Sequence, residues 1–288
     1  ASGEILRSIV RKGNGDVYFT AGAGATMRTY SNGSSLSESR IVPFTMNGVY
    51  FSNASEGVVV GERSMIRYTL DGGAHWRILK LAPGELRTQR NLLSAASDGD
   101  GVGVVGGDLN KLWRFQLQQG TYSNAGVSGT TAVGIAQVSD VYIDVSSGKG
   151  YAVGRNSSGQ GLVLHTTNGG ISFSMVSGAA MHAGYSSVSP LWAAQGGTVM
   201  LGCGDGKMYL ASASGVGSVG VDITGSTTQG VKDLVFTDAF TCYAVGASGV
   251  LKKGVYVGPA SATMPLTYSL TSTDWQWVDA VVGGSGTS

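Results

Sequence analysis

The stretch "VVVGERSMIRYTLDGGAHW", residues 58–76, gives the clearest indication of the fold of this chain. It joins an apolar run ending in glycine, a second apolar run, and the segment Thr69 to Trp76, which is rich in polar residues and glycine. "TTNGGISF", residues 166–173, repeats that segment 97 residues later. In both, an Asp or Asn side chain can cap backbone N–H groups, glycines can adopt positive φ, and an aromatic residue can pack inward. We predict that each segment is the turn between a third and a fourth antiparallel strand.

The apolar run that ends in glycine recurs along the chain. The marker glycines are Gly22, Gly61, Gly106, Gly154, Gly202 and Gly246, at spacings of 39, 45, 48, 48 and 44 residues. One apolar stretch precedes each marker and two follow it, which predicts four short strands in an antiparallel meander. A small residue would let neighbouring units approach, and glycine would tolerate the turn that follows.

Radial repetition of such meanders predicts a β-propeller of four-stranded antiparallel blades, an all-β fold occupying residues 1–288 as a single domain. Six units can be written out, so we expect six blades, with strands from both termini completing one of them because an unpaired edge is a liability. Seven blades, the last built partly from residues 1–12, is the alternative. A β-solenoid and a pair of sandwiches are competing architectures.

Composition narrows the function classes. The 288 residues include 47 glycines, 42% apolar residues and 13% charged residues, which suits a compact β-protein. A formal net charge of +1 gives no reason to expect nucleic acid as a partner. No apolar run approaches the length of a transmembrane segment. Cys203 and Cys242 belong to no metal-binding motif, and the sequence leaves open whether they pair.

The two turn segments resemble the Asp-box, or BNR repeat, of sialidases, sortilin-type receptors and photosystem II assembly-factor propellers. Residues 58–76 are most similar to the assembly-factor type, residues 151–173 match less closely, and the other units lack a good copy. The resemblance implies that these turns are structural and lie away from any active site. The positions that match the Asp-box are Thr69, Asp71, Gly73, Trp76, Thr166, Asn168, Gly170 and Phe173.

The same resemblance implies a soluble, secreted or extracytoplasmic scaffold that docks a protein or peptide partner during assembly of a larger complex. Such propellers are expected to use an arginine-rich face, and every arginine of this chain lies at or before Arg155. Charge clustering, rather than a matched motif, selects the candidate partner-binding residues Arg63, Arg67, Arg87, Arg90 and Arg114. The oligomeric state stays open.

The sequence leaves two other functions open. A lectin-like or viral attachment propeller would bind surface glycan or a receptor, with sugars stacked on tryptophans. The candidates for stacking are Trp113, Trp192, Trp275 and Trp277. A sialidase would need an arginine triad and a Tyr–Glu pair, yet no arginine follows Arg155 and no glutamate follows Glu85.

No catalytic, metal-binding or cofactor-binding residues are expected. The three histidines, His75, His165 and His182, lack the spacing of a triad or a metal site. The acidic run at residues 98–108 lacks the spacing of a calcium loop. We expect other aspartates, including Asp140 and Asp233, to be turn and strand-end residues.

Overall fold

The computed structural model describes residues 6–11, 17–21, 26–31, 35–40, 44–84, 89–108, 112–128, 134–190, 197–217, 221–223, 230–238, 240–257 and 275–279. Their regular structure consists of strands in six sheets and three single-turn 3₁₀ helices, at Glu62–Ser64, Ala179–Met181 and Ala247–Gly249.

The first three sheets follow one another along the chain. Sheet 1 contains β1 (Leu6–Arg11), β2 (Val17–Ala21), β3 (Thr26–Ser31) and β4 (Ser35–Arg40). Sheet 2 contains β5 (Met46–Phe51), β6 (Gly57–Gly61), β7 (Met65–Thr69) and β8 (Arg77–Ile78). Sheet 3 contains β9 (Lys80–Leu81), β10 (Leu92–Ser97), β11 (Val102–Gly107), β12 (Trp113–Gln116) and β13 (Thr121–Asn124).

The other three sheets continue the series. Sheet 4 contains β14 (Gly126–Ser128), β15 (Ile135–Ile143), β16 (Gly150–Asn156), β17 (Gly161–Thr166) and β18 (Ser172–Met175). Sheet 5 contains β19 (Tyr185–Pro190), β20 (Thr198–Cys203), β21 (Lys207–Ser212), β22 (Gly215–Val216) and β23 (Val221–Asp222). Sheet 6 contains β24 (Val231–Phe236), β25 (Thr241–Gly246), β26 (Leu251–Tyr256) and β27 (Trp275–Asp279).

Each sheet is built on a meander of antiparallel strands, as the sequence predicts, and in sheet 5 the short strands β22 and β23 both pair with β21. The segment that leaves one sheet also pairs with the outer strand of the next. β9, which follows sheet 2, runs parallel to β13, and β14, which follows sheet 3, runs parallel to β18. These connecting strands fasten the outer edges of successive sheets together.

The innermost strand of every sheet (β1, β5, β10, β15, β19 and β24) carries a β-bulge at the same place. The residues skipped in the pairing are Arg7, Asn47, Leu93, Ser139, Ser186 and Lys232. All six line one central channel of about 330 Å³. The innermost strands of six sheets therefore surround a common axis, which confirms the predicted all-β propeller.

The core consists of apolar clusters between successive sheets. Five clusters fill the spaces from sheet 1 to sheet 6, and each contains at least one large aromatic side chain. Representative members, in chain order of the clusters, are Phe51, Phe115, Phe173, Tyr185 and Trp275. Burial of such a side chain contributes roughly 1.5–3 kcal/mol, so these clusters hold the radial stack together.

The described termini do not share a sheet. Sheet 1 is built from residues 6–40 and sheet 6 from residues 231–279, each from four strands in chain order. The expectation that strands from both ends complete one blade is therefore wrong for the described residues. The physical reason is that each terminal unit already supplies four strands of its own.

The marker glycines have two different steric roles. A Cβ on Gly106 would lie 2.4 Å from Cγ1 of Val138 in the next sheet, as expected for close approach between units. A Cβ on Gly61 would instead lie 2.1 Å from the carbonyl oxygen of Thr45 in its own sheet. Gly61 has an extended backbone, with φ −170°, so the expected role in the following turn is wrong there. Gly22 lies outside the described residues.

The two cysteines are free thiols in the second strands of sheets 5 and 6, which answers the question that the sequence left open. Cys203 and Cys242 are both fully buried. Burial raises the pKa of each thiol to about 12, so neither is activated as a nucleophile.

Candidate functional site

The meander places its connections on two opposite faces of the propeller. Turns between first and second strands share a face with turns between third and fourth strands, which we call the hairpin face. The backbone N–H of Gly72 donates to the carbonyl of Ser55 at 2.8 Å, and Gly169 donates to Gly148 at 2.9 Å, so these turns touch. The turns between second and third strands lie on the other side with the connections between sheets, and we call this side the linker face.

The segment 69–76 is the predicted turn, connecting β7 to β8 on the hairpin face. The hydroxyl of Thr69 donates to Oδ1 of Asp71 at 2.7 Å and accepts the backbone N–H of Gly73 at 2.8 Å. Oδ1 of Asp71 also accepts the N–H of His75 at 2.9 Å. Gly72 and Gly73 have φ of 71° and 96°, which side-chain-bearing residues rarely adopt.

The segment 166–173 repeats this geometry between β17 and β18. Thr166 donates to Oδ1 of Asn168 at 2.9 Å and accepts the N–H of Gly170 at 3.2 Å. Asn168 accepts the N–H of Ser172 at 3.0 Å. Phe173 is buried, as predicted. The two turns thus use the same hydroxyl and the same side-chain oxygen to satisfy backbone donors.

The aromatic and histidine side chains of the first turn have structural contacts. Trp76 is half-buried and packs edge-on against Phe51, with ring centroids 6.1 Å apart. The exposed ring of His75 places Nδ1 2.7 Å from Oδ2 of Asp71. Hydrogen bonds from the backbone of His75 and the hydroxyl of Thr69 hold the pKa of Asp71 well below its usual range. Asp71 therefore remains an ionised cap of the turn.

The linker face carries a cavity of about 450 Å³ between sheets 2 and 3. Its walls are largely apolar, with Met65, Ile66, Leu79, Leu81 and Tyr122 among the lining residues. Arg63 and Lys80 also line it and bring positive charge to the site. Such a combination accommodates an apolar side chain next to an anionic group.

A hydrogen-bonded latch positions the cavity. The backbone N–H of Ser64 donates to the carbonyl of Arg90 at 2.7 Å, and the N–H of Arg90 donates to the hydroxyl of Ser64 at 3.2 Å. The latch joins the turn at residues 62–64 to the connection leading into sheet 3. Arg63 has φ of 57°, in the left-handed region, and its guanidinium lies 4.6 Å from the ring centroid of Phe44.

The structure brings only some of the predicted arginines together. Arg63 and Arg67 line the cavity, and Arg90 adjoins it through the latch. Arg114 lies on β12 opposite Val104, whose side chain packs toward sheet 4, so Arg114 belongs to a different inter-sheet space. Arg87 lies outside the described residues. The apolar walls of the cavity were not predicted, because they depend on how the connection between sheets folds back.

The central channel contains two aspartates that the sequence predicts to lie in turns or at strand ends. Asp140 and Asp233 directly follow the bulges of β15 and β24 and line the channel, so they are not turn or strand-end residues. The carboxylate of Asp140 accepts the hydroxyl of Ser94 at 2.6 Å and the backbone N–H groups of Val188 and Val141, both at 2.9 Å. These donors come from sheets 3, 5 and 4, so Asp140 bridges three sheets.

Asp140 lies deep in the channel, although part of its surface remains open to channel solvent. Burial raises the pKa of Asp140 to about 7, outweighing the hydrogen bonds that favour its ionised form. Asp233 is more exposed, and desolvation at the channel wall also raises its pKa. Since three donors occupy the Asp140 carboxylate, its evident role is to hold inner strands in register.

The described residues give little support to glycan binding or to a metal site. Trp113 and Trp275 are buried in the core and Trp277 stacks against Trp275, so Trp113 and Trp275 are unavailable for the predicted stacking on sugars. Trp192 lies outside the described residues. Within the described ranges no group of three or more His, Cys, Asp or Glu side chains could hold a metal ion. No helix formed by these residues is long and apolar enough to span a membrane.

The histidines other than His75 pack against aromatic side chains. His165 is partly buried beside Tyr151, with ring centroids 4.9 Å apart, and burial lowers the pKa of His165. His182 lies 3.9 Å from the ring centroid of Tyr209, and its Nε2 is 3.1 Å from the carbonyl oxygen of Gly217. These contacts are typical of packed histidines.

Comparison with solved structures identifies proteins of similar fold. YCF48 from Cyanidioschyzon merolae is 16% identical with a TM-score of 0.65, covering 87% of this chain and 81% of that chain. A structure of YCF48 bound to D1 peptide is 17% identical with a TM-score of 0.64, covering 87% of this chain and 78% of that chain. The computationally designed protein Ika8 is 12% identical with a TM-score of 0.58, covering 87% and 70% of the two chains.

At these identities the similarity shows the propeller fold. No protein-family model matches the sequence, and no curated protein matches it.

Proposed function

We propose that this chain is a non-catalytic propeller that docks a protein or peptide partner at the linker-face cavity between sheets 2 and 3. The observation that carries the proposal is the cavity itself, with apolar walls and Arg63 and Lys80 among its lining. An extended peptide could place an apolar side chain in the cavity and a carboxylate beside these cations. The proposal extends to a secreted or extracytoplasmic scaffold that acts during assembly of a larger complex.

Two further observations support this proposal. A structural neighbour, YCF48, has been solved bound to D1 peptide, so a propeller of this fold can hold a peptide. The hydrogen bonding of the two glycine-rich turns supports the Asp-box interpretation, in which these turns stabilise the hairpin face. Binding would then be left to the opposite face, where Arg63, Arg67 and Arg90 lie in or beside the cavity.

The test is capture of partners from the native source by wild-type protein and by Arg63→Glu, followed by mass spectrometry. Arg155→Glu is a matched control because Arg155 is also exposed but lies in sheet 4, outside the cavity lining. We expect one or a few proteins to be captured by the wild type and the control and lost with Arg63→Glu. Equal capture by all three proteins would refute the site.

Two parallel assays separate the alternative functions. A glycan array that binds the wild type in the absence of any protein partner would favour a lectin. Turnover of an aryl-glycoside panel, lost on substitution of one carboxylate, would favour an enzyme.

A further inference from the structure

The inner strands of neighbouring sheets are joined by side-chain to backbone hydrogen bonds that repeat with the fold. The residue after the bulge accepts an N–H from the inner strand of the next sheet. Ser8 accepts from Val49 at 3.2 Å, and Asp140 accepts from Val188 at 2.9 Å. Ser94 similarly lies 3.4 Å from the N–H of Val141. These bonds connect sheets 1 to 2, 4 to 5 and 3 to 4.

The remaining two junctions use the bulge residue itself. The side-chain amide of Asn47 donates to the carbonyl of Leu92 at 2.9 Å, connecting sheets 2 and 3. The hydroxyl of Ser186 donates to the carbonyl of Val231, connecting sheets 5 and 6. Each of the five junctions therefore has an apolar cluster and a polar bridge from the same two positions of the inner strand.

Sheet 6 has the acceptor position and the apolar face of such a junction, but no further sheet follows it among the described residues. Asp233 occupies the acceptor position, but within the described residues its carboxylate accepts only the N–H of Leu234 in its own strand, at 2.8 Å. Val245 pairs with Asp233 and is 41% exposed, whereas the equivalent residues Val60 and Val153 are 0% exposed. The face that other sheets bury against their successor is therefore open here.

Sheet 1 presents the complementary open face. Ile9 is 72% exposed, whereas the residues at the same position of the other five inner strands are between 4% and 8% exposed. Those residues are Val49, Ala95, Val141, Val188 and Leu234. No apolar cluster of the described residues joins sheet 6 to sheet 1. We call the space flanked by Ile9, Asp233 and Val245 the seam.

We propose that the seam binds an extended, β-forming segment of a partner polypeptide, which inserts between sheets 6 and 1 as a further inner strand. We expect this segment to make the same kinds of contact that the inner strands make at the five existing junctions. It would donate a backbone N–H to Asp233, place small apolar side chains against Val245 and Ile9, and offer Ser, Thr or Asp oxygen to the N–H of Ile9. Lys232, at the bulge position used by Asn47 and Ser186, would donate to one of its carbonyls.

The seam is separate from the linker-face cavity, so this proposal goes beyond the proposed function. The cavity lies between sheets 2 and 3 and contains no seam residue. A cavity variant such as Arg63→Glu should leave seam binding unchanged, and a seam variant should leave cavity binding unchanged. Failure of either proposal can thus be recognised without the other.

The test uses a labelled peptide copying residues 135–143, "IAQVSDVYI", with lysines added at both ends for solubility. This sequence is β15, the inner strand that lies within hydrogen-bond distance of Ser94 in the preceding sheet through the N–H of Val141 and accepts the N–H of Val188 in the next sheet through Asp140. Fluorescence anisotropy should show saturable binding to the full chain, weakened at least roughly tenfold by Val245→Glu and by Ile9→Glu, because each places a charge in the buried part of the contact. Asp233→Asn should weaken binding less, because one acceptor oxygen is retained.

Val145→Glu is the matched control, since Val145 is 53% exposed and lies on the hairpin face outside the seam. It should bind the peptide as the wild type does, and a scrambled peptide should not bind. No saturable binding, or binding that is unchanged by Val245→Glu and Ile9→Glu, would overturn the proposal. Concentration-dependent dimerisation abolished by Val245→Glu would also overturn it, because the occupant would then be a second copy.

Discussion

Replacing Thr166 with valine removes the hydroxyl that organises the second glycine-rich turn while keeping the side-chain volume nearly constant. Thr166 is 1% exposed, and its hydroxyl accepts the N–H groups of Asn168 at 3.3 Å and Gly170 at 3.2 Å while donating to Asn168 at 2.9 Å. Gly170 is buried, so water cannot replace the lost acceptor. A buried donor left without a partner costs about 1–3 kcal/mol, and with the loss of the hydroxyl's own bond we expect Thr166→Val to destabilise by about 3 kcal/mol.

The equivalent substitution in the first turn should cost less. Thr69 makes the same bonds, but Gly73 is only half-buried, and water can partly satisfy its N–H. We expect Thr69→Val to destabilise by about 2 kcal/mol. Urea denaturation followed by tryptophan fluorescence measures both values.

Thr167→Val provides the matched control, because Thr167 is the adjacent, exposed threonine. It should change the free energy of unfolding by no more than about 0.5 kcal/mol. If Thr166→Val and Thr167→Val have the same unfolding midpoint, the hydroxyl does not organise the turn and the reasoning is wrong.

Three further predictions concern the channel, the core thiols and the marker glycines. The pKa of Asp140 is about 7 in the folded chain and near 3.8 when the chain is unfolded, so the folded state holds this proton more tightly and the stabilisation from this group falls as pH rises from about 4 to 7. Asp140→Asn should flatten that part of the plot of unfolding free energy against pH. An unchanged slope would contradict the assignment. Cys203 and Cys242 should react with a thiol reagent at pH 8 only when the chain unfolds, so fast labelling of the native protein would show that they are not buried. Gly106→Ala places a methyl group 2.4 Å from Val138 and should destabilise the folded chain by about 1–3 kcal/mol, measured as a lower urea midpoint. An unchanged midpoint would show that the two sheets do not approach this closely.

The sequence predicts the meander and its turns because the signals are local. Each turn contains a hydroxyl, a side-chain acceptor and two glycines within five residues, and this combination has few other ways to satisfy its backbone N–H donors. The turn at Thr69 and its repeat at Thr166 could therefore be placed between the correct strands. The apolar runs before Gly61 and Gly154 likewise identified the second strand of their units.

The register within the repeat could not be predicted, because it depends on bulges. Pairing places Gly61 and Gly154 opposite the residue that precedes the bulge of the inner strand, Met46 and Val138, but Gly106 lies one position earlier in its unit, opposite Ser94. A bulge at Leu93 or Ser139 shifts pairing without a distinct residue type. The channel position of Asp140 follows from that shift and was therefore missed.

The candidate site was only partly predictable for a similar reason. Arg63 and Arg67 are close in sequence and were identified by charge clustering, which also selected Arg114 in a different inter-sheet space. Arg90 adjoins the cavity through a hydrogen bond to Ser64, 26 residues away, which no local pattern shows. The apolar walls and the open seam depend on long-range packing.

A radial stack of six described sheets with one open seam can be tested by the labelling rate of a single cysteine placed at the same position of each inner strand. The positions are Ile9, Val49, Ala95, Val141, Val188 and Leu234, in a background whose native cysteines are buried. We expect rapid labelling of Ile9→Cys in the native protein and labelling of the other five only through unfolding. Protection of Ile9→Cys equal to that of the others would contradict it, because sheet 1 would then be packed like the rest.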